Sequence, residues 1–353
     1  MLKLNAELPR ALGLWFSHHA RYMPWRAEPT AYRVWVSEIM LQQTQVVTVI
    51  PYFERFLKRF PSVEKLARAD EEDVLSMWSG LGYYSRARNL HKAARVIAES
   101  GMPTTRTEWL ELPGVGEYTA GAVCSIALNL VEPILDGNVE RVLSRFHRVG
   151  VGKKGLAGFK LRLWGLSRQW VEVGAAAGVE PRALNQALME LGALVCEPRA
   201  PRCASCPLRA SCGAFRAGVV DRFPPVVKRA KVIDVSETVH LFFCEGRVLV
   251  QKREKGQWRA GLWDLPLAVP SWVKKLRPQS AGEEIHTQHI VTHHRIKRTT
   301  RVWKLARASG PAPAGYAWVT PLKPELATGA AFGKCVRKAL ATLSLKGGPK
   351  LVS

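Results

Sequence analysis

The chain contains no run of 18 apolar residues, so a membrane-spanning helix is not expected. Its first ten residues lack the apolar stretch of a secretory signal. No internal repeat or low-complexity tract interrupts the 353 residues, which leaves ordinary folded domains, two of them at this length. Acidic side chains are scarce: 29 Asp and Glu stand against 52 Lys and Arg, a formal charge of +23. Such an excess favours polyanionic partners, because each cation seated on a phosphate releases condensed counterions. Charge alone does not separate a DNA enzyme from a ribosome-associated or merely soluble basic protein. Cysteine is sparse too, at Cys124, Cys196, Cys203, Cys206, Cys212, Cys244 and Cys335. Four of these fall within 17 residues, a local cluster rather than a disulfide framework. A reducing, cytoplasmic location is expected.

With 47% hydrophobic residues the chain can build a core, and its patterning changes once. Up to about residue 218 it reads as helical. Asp70 precedes Glu71, Glu72 and Asp73 like an N-cap before an acidic first turn. Pro181 suits the first turn of a helix whose apolar face is Leu184, Leu188, Leu191 and Val195. Gly80, Gly82 and Gly101 punctuate between helices. Asp221–Lys231 is proline-rich and basic, the expected linker. Beyond it, Val239–Cys244, the pair Glu245-Gly246 and Arg247–Gln251 read as a β-hairpin. Arg301–Leu305 and Tyr316–Thr320 read as further strands, and Ala330–Leu343 as a closing helix. The expected organisation is an all-α domain over 1–220, a linker over 221–231 and a smaller α+β domain over 232–345.

The cysteine cluster runs Cys196-x6-Cys203-x2-Cys206-x5-Cys212. Thiolates so spaced wrap one metal centre, with the first ligand at a helix end and the rest on a tight loop. Structural zinc is the competing occupant, yet zinc usually takes paired C-x2-C knuckles and only one pair exists here. The spacing resembles the [4Fe–4S] loop of the endonuclease III superfamily of DNA glycosylases, which implies a cubane cluster on all four cysteines, over residues 196–212. A second motif, Leu112-Pro-Gly-Val-Gly-Glu-Tyr-Thr-Ala120, lies between helical stretches. Gly114 and Gly116 are expected to take backbone angles closed to other residues and to leave amide N–H groups facing a DNA phosphate. The segment resembles the helix-hairpin-helix of the same superfamily. Strand-cleaving members carry at Tyr118 a lysine that forms a Schiff base, so tyrosine there implies a monofunctional enzyme.

Two carboxylates complete the chemistry. Asp136 sits in Leu-Asp-Gly-Asn-Val, just beyond the hairpin, where the superfamily keeps its essential aspartate. Glu38 sits in Trp35–Gln45, a largely apolar stretch that suggests a carboxyl held dry. Hydrolysis of an N-glycosidic bond needs unlike partners: a protonated acid for the leaving base, and an anion for the cationic sugar. Glu38 is assigned the acid and Asp136 the anion, with Asn138 orienting it.

Pro24-Trp-Arg, Ser37–Val46, Ile50–Phe56, Trp78–Leu90 and Ile134–Val139 resemble the MutY-type adenine DNA glycosylases, a likeness that covers most of residues 20–215. The resemblance implies that Gln42 and Tyr83 wedge into the duplex, and that Trp25, Arg26 and Gln186 line a pocket for flipped adenine. Core packing is the alternative for Tyr83 and Trp25. It further implies a Nudix-like C-terminal domain that reads 8-oxoguanine; the catalytic Nudix signature is absent from 232–353. Where the family carries an aromatic–serine–histidine loop, this chain has Val291, Thr292 and His293. Residues 286–307 hold six Lys or Arg and no acid, as a phosphate-facing surface would, though a solvated strand pair would look the same. The implied protein is a monomer on A:8-oxoG or A:G mispairs in double-stranded DNA, associated with the nucleoid. The nearest rival is a thymine-removing mismatch glycosylase; a catalytically silent DNA-binding protein is another.

Overall fold

The computed structural model describes residues 4–226, 231–254, 256–257, 259–291, 293–307, 310–321 and 326–344. They group into two units: residues up to 68 with 89–228, and residues 69–88 with 229 onward. Among the described residues no helix is long and apolar enough to cross a membrane.

The first unit is helical. Side-chain caps set where its key helices start. Thr30 accepts from Arg33 N–H to open the Ala31–Leu41 helix, and Thr105 with Glu108 forms a reciprocal capping box at Arg106–Leu110. Pro181 opens the Pro181–Leu194 helix as expected, and Leu184, Leu188, Leu191 and Val195 are all buried. Trp35, Trp109 and Trp170 are fully buried; the first two meet at 5.8 Å between ring centroids. Large aromatics of this kind supply much of a helical core's burial.

The second unit is built on a six-stranded mixed sheet: β1 (Ile233–Cys244), β2 (Arg247–Lys252), β3 (Trp263–Asp264), β4 (Gln279–Val291), β5 (His294–Lys304) and β6 (Tyr316–Val319). Their order is β3-β2-β1-β5-β4, with β6 also on β2, and β1 runs parallel to β5. The expected hairpin joins β1 and β2 through Glu245 (φ 48°) and Gly246 (φ 76°), both left-handed as a tight hairpin requires. Alternation along β1 sends Leu241 and Phe243 to one face, Phe242 and Cys244 to the other. The closing helix, Ala330–Ser344, covers the first face with Phe332, Cys335, Val336, Ala339 and Leu340, a helical-period stripe. Asp70 occupies the N-cap of Glu71–Met77 ahead of the acidic first turn, as expected, although its side chain makes no capping bond.

A buried ion cluster crosses the sheet. Arg298 donates to both oxygens of Asp264, at 3.0 and 2.8 Å, and to Glu237 at 2.8 Å. Arg259 adds contacts to Glu237 and Asp264. Arg298 is therefore internal, 1% exposed. Its place corrects the expectation that the cations of 286–307 share one phosphate-facing surface. Arg295 and Lys297 pair with Asp234, and Arg301 pairs with Glu284.

Candidate active site

A cavity of about 550 Å3 opens in the helical unit, and Glu38, Tyr118, Asp136 and Asn138 all line it. Glu38 lies on the Ala31–Leu41 helix, whose buried neighbours Val34, Trp35, Ile39 and Met40 fix the rotation of that helix. Its side chain is consequently dry, 4% exposed. Burial pushes the Glu38 carboxyl up to about 7; the Tyr118 hydrogen bond and Arg26 pull it down, while Asp136 adds to the rise. The Tyr118 hydroxyl donates to Glu38 Oε2 at 2.7 Å. The missing lysine at Tyr118 is legible in the sequence; the bond from Tyr118 to Glu38 spans 80 residues and leaves no local trace.

Asp136 is the N-cap of the Gly137–His147 helix. It accepts from Val139 N–H at 2.7 Å and from Asn138 Nδ2 at 2.9 Å. Burial raises its carboxyl, and these donors with Arg141 oppose that rise. Arg141 was not foreseen. It donates to Asn138 Oδ1 (2.8 Å), Gly192 O (2.8 Å) and Cys196 O (2.6 Å), holding the orienting amide of Asn138 in place. Gly192 was missed as well: a Cβ there would lie 2.5 Å from Asn138 Cβ and 2.9 Å from its Cα.

Trp25, Arg26, Gln42 and Gln186 line the same cavity. Trp25 is both things proposed for it, a buried aromatic edge-on to Phe53 and a wall of the cavity. Arg26 donates to Glu190 Oε2 at 2.9 Å, and Arg21 reaches the same carboxylate at 2.7 Å. Burial would raise Glu190, but these bonds outweigh it and hold the group low. Gln42 donates to Thr119 Oγ1 at 3.4 Å, whereas its exposed neighbour Gln43 is left-handed, φ 56°. Tyr83 belongs to the second unit; it is 39% exposed, which removes the core-packing alternative.

In the hairpin motif only Gly114 is left-handed, φ 79°, and a Cβ there would strike Asn89 Cβ at 2.6 Å. Gly116 is extended, φ −105° and ψ 178°, as the N-cap of Glu117–Ala122, so the expectation of special angles there is corrected. An ideal Cβ on Gly116 meets nothing, and its glycine leaves open backbone instead.

None of the cysteines is in a disulfide. Burial, and then the Cys196, Cys212 and Cys203 sulfurs against a Leu208 amide, push the Cys206 thiol up to about 12. The Ala214 and Phe215 amides face Cys212, and Arg145 donates to Cys196 Sγ at 3.3 Å. Among the described residues no three such groups converge on a single metal ion. Donors face three of the four sulfurs, those of Cys196, Cys206 and Cys212, which suits thiolates bound to a metal centre. Of the three residues expected to face the lesion, His293 is exposed at the β4–β5 end and Val291 is half-buried, while Thr292 lies outside the described residues.

A dry acid bonded to a tyrosine, facing a capped aspartate across one cavity, is the equipment of a hydrolase of glycosidic bonds. Residues 36–164 match the family of HhH-GPD superfamily base excision DNA repair proteins. The adenine DNA glycosylase of Buchnera aphidicola (subsp. Schizaphis graminum) is 34% identical over 270 residues, 74% of this chain and 76% of that one. The human adenine DNA glycosylase is 44% identical over 212 residues, 57% of this chain and 38% of that one. A thermostable thymine-DNA glycosylase of known structure aligns over 60% of this chain and 96% of its own, with TM-score 0.52 and 25% identity. The chain belongs to the MutY-type adenine DNA glycosylases of the endonuclease III superfamily. It is an N-glycosylase of base-excision repair that acts on adenine in DNA.

Proposed function

We propose that the enzyme removes adenine opposite 8-oxoguanine, and opposite guanine less well, and leaves the abasic strand uncut. The observation that carries this reading is the Glu38 carboxyl, buried in the cavity and raised to about 7, beside an aspartate held by donors. Flipped adenine sits among Trp25, Arg26 and Gln186. Glu38 gives its proton to adenine N7 as the glycosidic bond breaks. The Asp136 carboxylate stabilises the oxocarbenium ion, directly or through a covalent adduct. Water then adds to the sugar, its proton passing back to the Glu38 carboxylate, and the abasic site forms. Tyr118 has no amine for a Schiff base. Gln42 and Tyr83 enter the duplex, and the Gly114–Gly116 turn faces a phosphate.

Cys196, Cys203, Cys206 and Cys212 hold a [4Fe–4S] cluster, which supplies the thiolates with the positive charge they need to ionise together. The flanking Arg199, Arg202 and Arg209 then meet phosphates. The sheet unit is a Nudix-like reader. Oxidation turns guanine N7 into an N–H donor, which the Thr292 hydroxyl can accept beside His293.

Duplexes with A:8-oxoG, A:G, T:G and A:T, each treated with alkali after incubation, test the substrate. Fastest cleavage is expected at A:8-oxoG; release from T:G instead would favour the thymine reading. Borohydride should trap no adduct, and Tyr118→Lys should gain some strand cleavage. The purified protein should be yellow-brown with about four irons per chain; stoichiometric zinc without colour would refute the cluster.

A further inference from the structure

We infer that the Tyr84 and Ser79 hydroxyls are positioning groups that pin the turn bearing Tyr83 to the backbone at Thr328, so that lesion reading drives the wedge. The inference rests on the reading above, in which Tyr83 enters the duplex and the sheet unit reads the base opposite adenine. Residues 69–88, although they fall early in the chain, are part of the sheet-bearing unit.

The turn is strained and exposed. Gly80, Gly82 and Tyr83 take φ of 97°, 76° and 48°. Left-handed backbone is unfavourable for a residue that carries a side chain, and the Tyr83 ring, 39% exposed, gains little burial in return. Such a conformation persists where neighbours over-determine it. Some of those neighbours lie within the turn: Trp78 Nε1 donates to Gly82 O at 3.2 Å. Arg86 donates to Leu81 O and Gly82 O and lies 5.5 Å over the Tyr83 ring.

The other set of neighbours leads out of the turn. The Tyr84 hydroxyl accepts from Gly80 N–H at 3.1 Å and donates to Thr328 O at 3.0 Å. Ser79 donates to the same carbonyl at 2.6 Å. Thr328 is firm ground, 5% exposed and bridged to Trp263 of β3. Either side of the turn is fastened independently, since Trp263 Nε1 donates to Glu72 at 2.7 Å and Arg88 donates to Ala260 O at 2.7 Å. Removing the Tyr84 hydroxyl therefore loosens the turn, leaving Ser79 as its remaining tie to Thr328, without detaching the flanking helices.

The test uses the full-length, cluster-loaded enzyme and single-turnover excision on A:8-oxoG and A:G duplexes. Tyr84→Phe should cut the preference for A:8-oxoG about tenfold, the value of one to two modest hydrogen bonds, by slowing that duplex and sparing A:G. Ser79→Ala should act in the same direction, and Ser79→Thr, which keeps a hydroxyl, should behave like the unsubstituted enzyme. Amide exchange at Gly80 should quicken in Tyr84→Phe. In a His293→Ala background, Tyr84→Phe should leave the already lowered preference unchanged. Equal slowing of both duplexes, an unaltered preference, or additive effects with His293→Ala would each overturn the pin. An unsubstituted enzyme with no preference at all would overturn the reading beneath it.

Discussion

Glu38 in the helical unit and Asp264 in the sheet unit are both buried carboxyls, and they stand on opposite sides of the ordinary range. Burial pushes each upward. Around Asp264, however, Arg298, Arg259 and Arg253 outweigh it and bring the group to about 2. Glu38 has a tyrosine hydroxyl and a nearby aspartate where Asp264 has guanidinium groups, and it rises to about 7. Burial sets how much is at stake, and the partners choose the sign. One acid thereby holds its proton up to about neutral pH, and the other is a permanent anion within a structural ion cluster.

Four experiments can break or sharpen that contrast. Asp136→Asn should have the largest effect, at least about a thousandfold loss of single-turnover excision, with mispair affinity nearly intact. Asparagine can still cap the helix but cannot stabilise a cationic sugar; near-normal excision would end the assignment.

Glu38→Gln should slow excision by about 10²–10⁴ while making the fold more stable in alkali. Because the folded carboxyl is raised, its proton-linked stability is full below about pH 4.5 and lost as pH rises through about 7. The amide escapes that loss, a gain on the order of 3 kcal/mol at pH 8.5 that should vanish near pH 4.5 in urea titrations.

Arg298→Leu should destabilise the sheet unit by about 3–5 kcal/mol, since it strands Asp264 and Glu237 without their central cation. Here the sign is reversed: Asp264's contribution is present above about pH 4 and lost as pH falls through about 2. A denaturation midpoint unmoved by the substitution would mean the cluster does not anchor the sheet. The smallest effect belongs to Tyr118→Phe. Its bond lowers Glu38, so losing it should move the alkaline limb of the pH–rate profile upward by less than about one unit. A downward move would contradict the geometry.

Features written in adjacent residues were readable from the chain: the Glu245-Gly246 hairpin, the proline that opens Pro181–Leu194, the apolar run that buries Glu38. Those that depend on distant partners were not. Arg141 and Glu190 look like ordinary helical charges until Asn138, Arg21 and Arg26 are brought beside them. Only the later part of β4 was legible, within the strand pair weighed over 286–307, because Gln279–Val291 begins with polar residues and a glycine, and its pairing with β5 slips between Ser280 and Glu284. Arg298 reads as one surface cation among six, since Asp264 and Glu237 lie 34 and 61 residues away. The grouping of residues 69–88 with the sheet has no local signature at all.

Gly192 shows what the active site owes to an absent atom. The Pro181–Leu194 helix, which brings Gln186, Met189 and Glu190 to the cavity, passes so close to Asn138 that a single methyl group would meet its backbone at 2.9 Å. Nothing flexible stands there to yield. Any larger residue must therefore push apart the cavity wall and the turn that presents Asp136, and a shift of about 1 Å in an active-site alignment can cost a hundredfold in rate. The spacing between that wall and the Asp136 turn is in this sense machined into the chain at one position, and its tolerance is less than the width of a carbon atom.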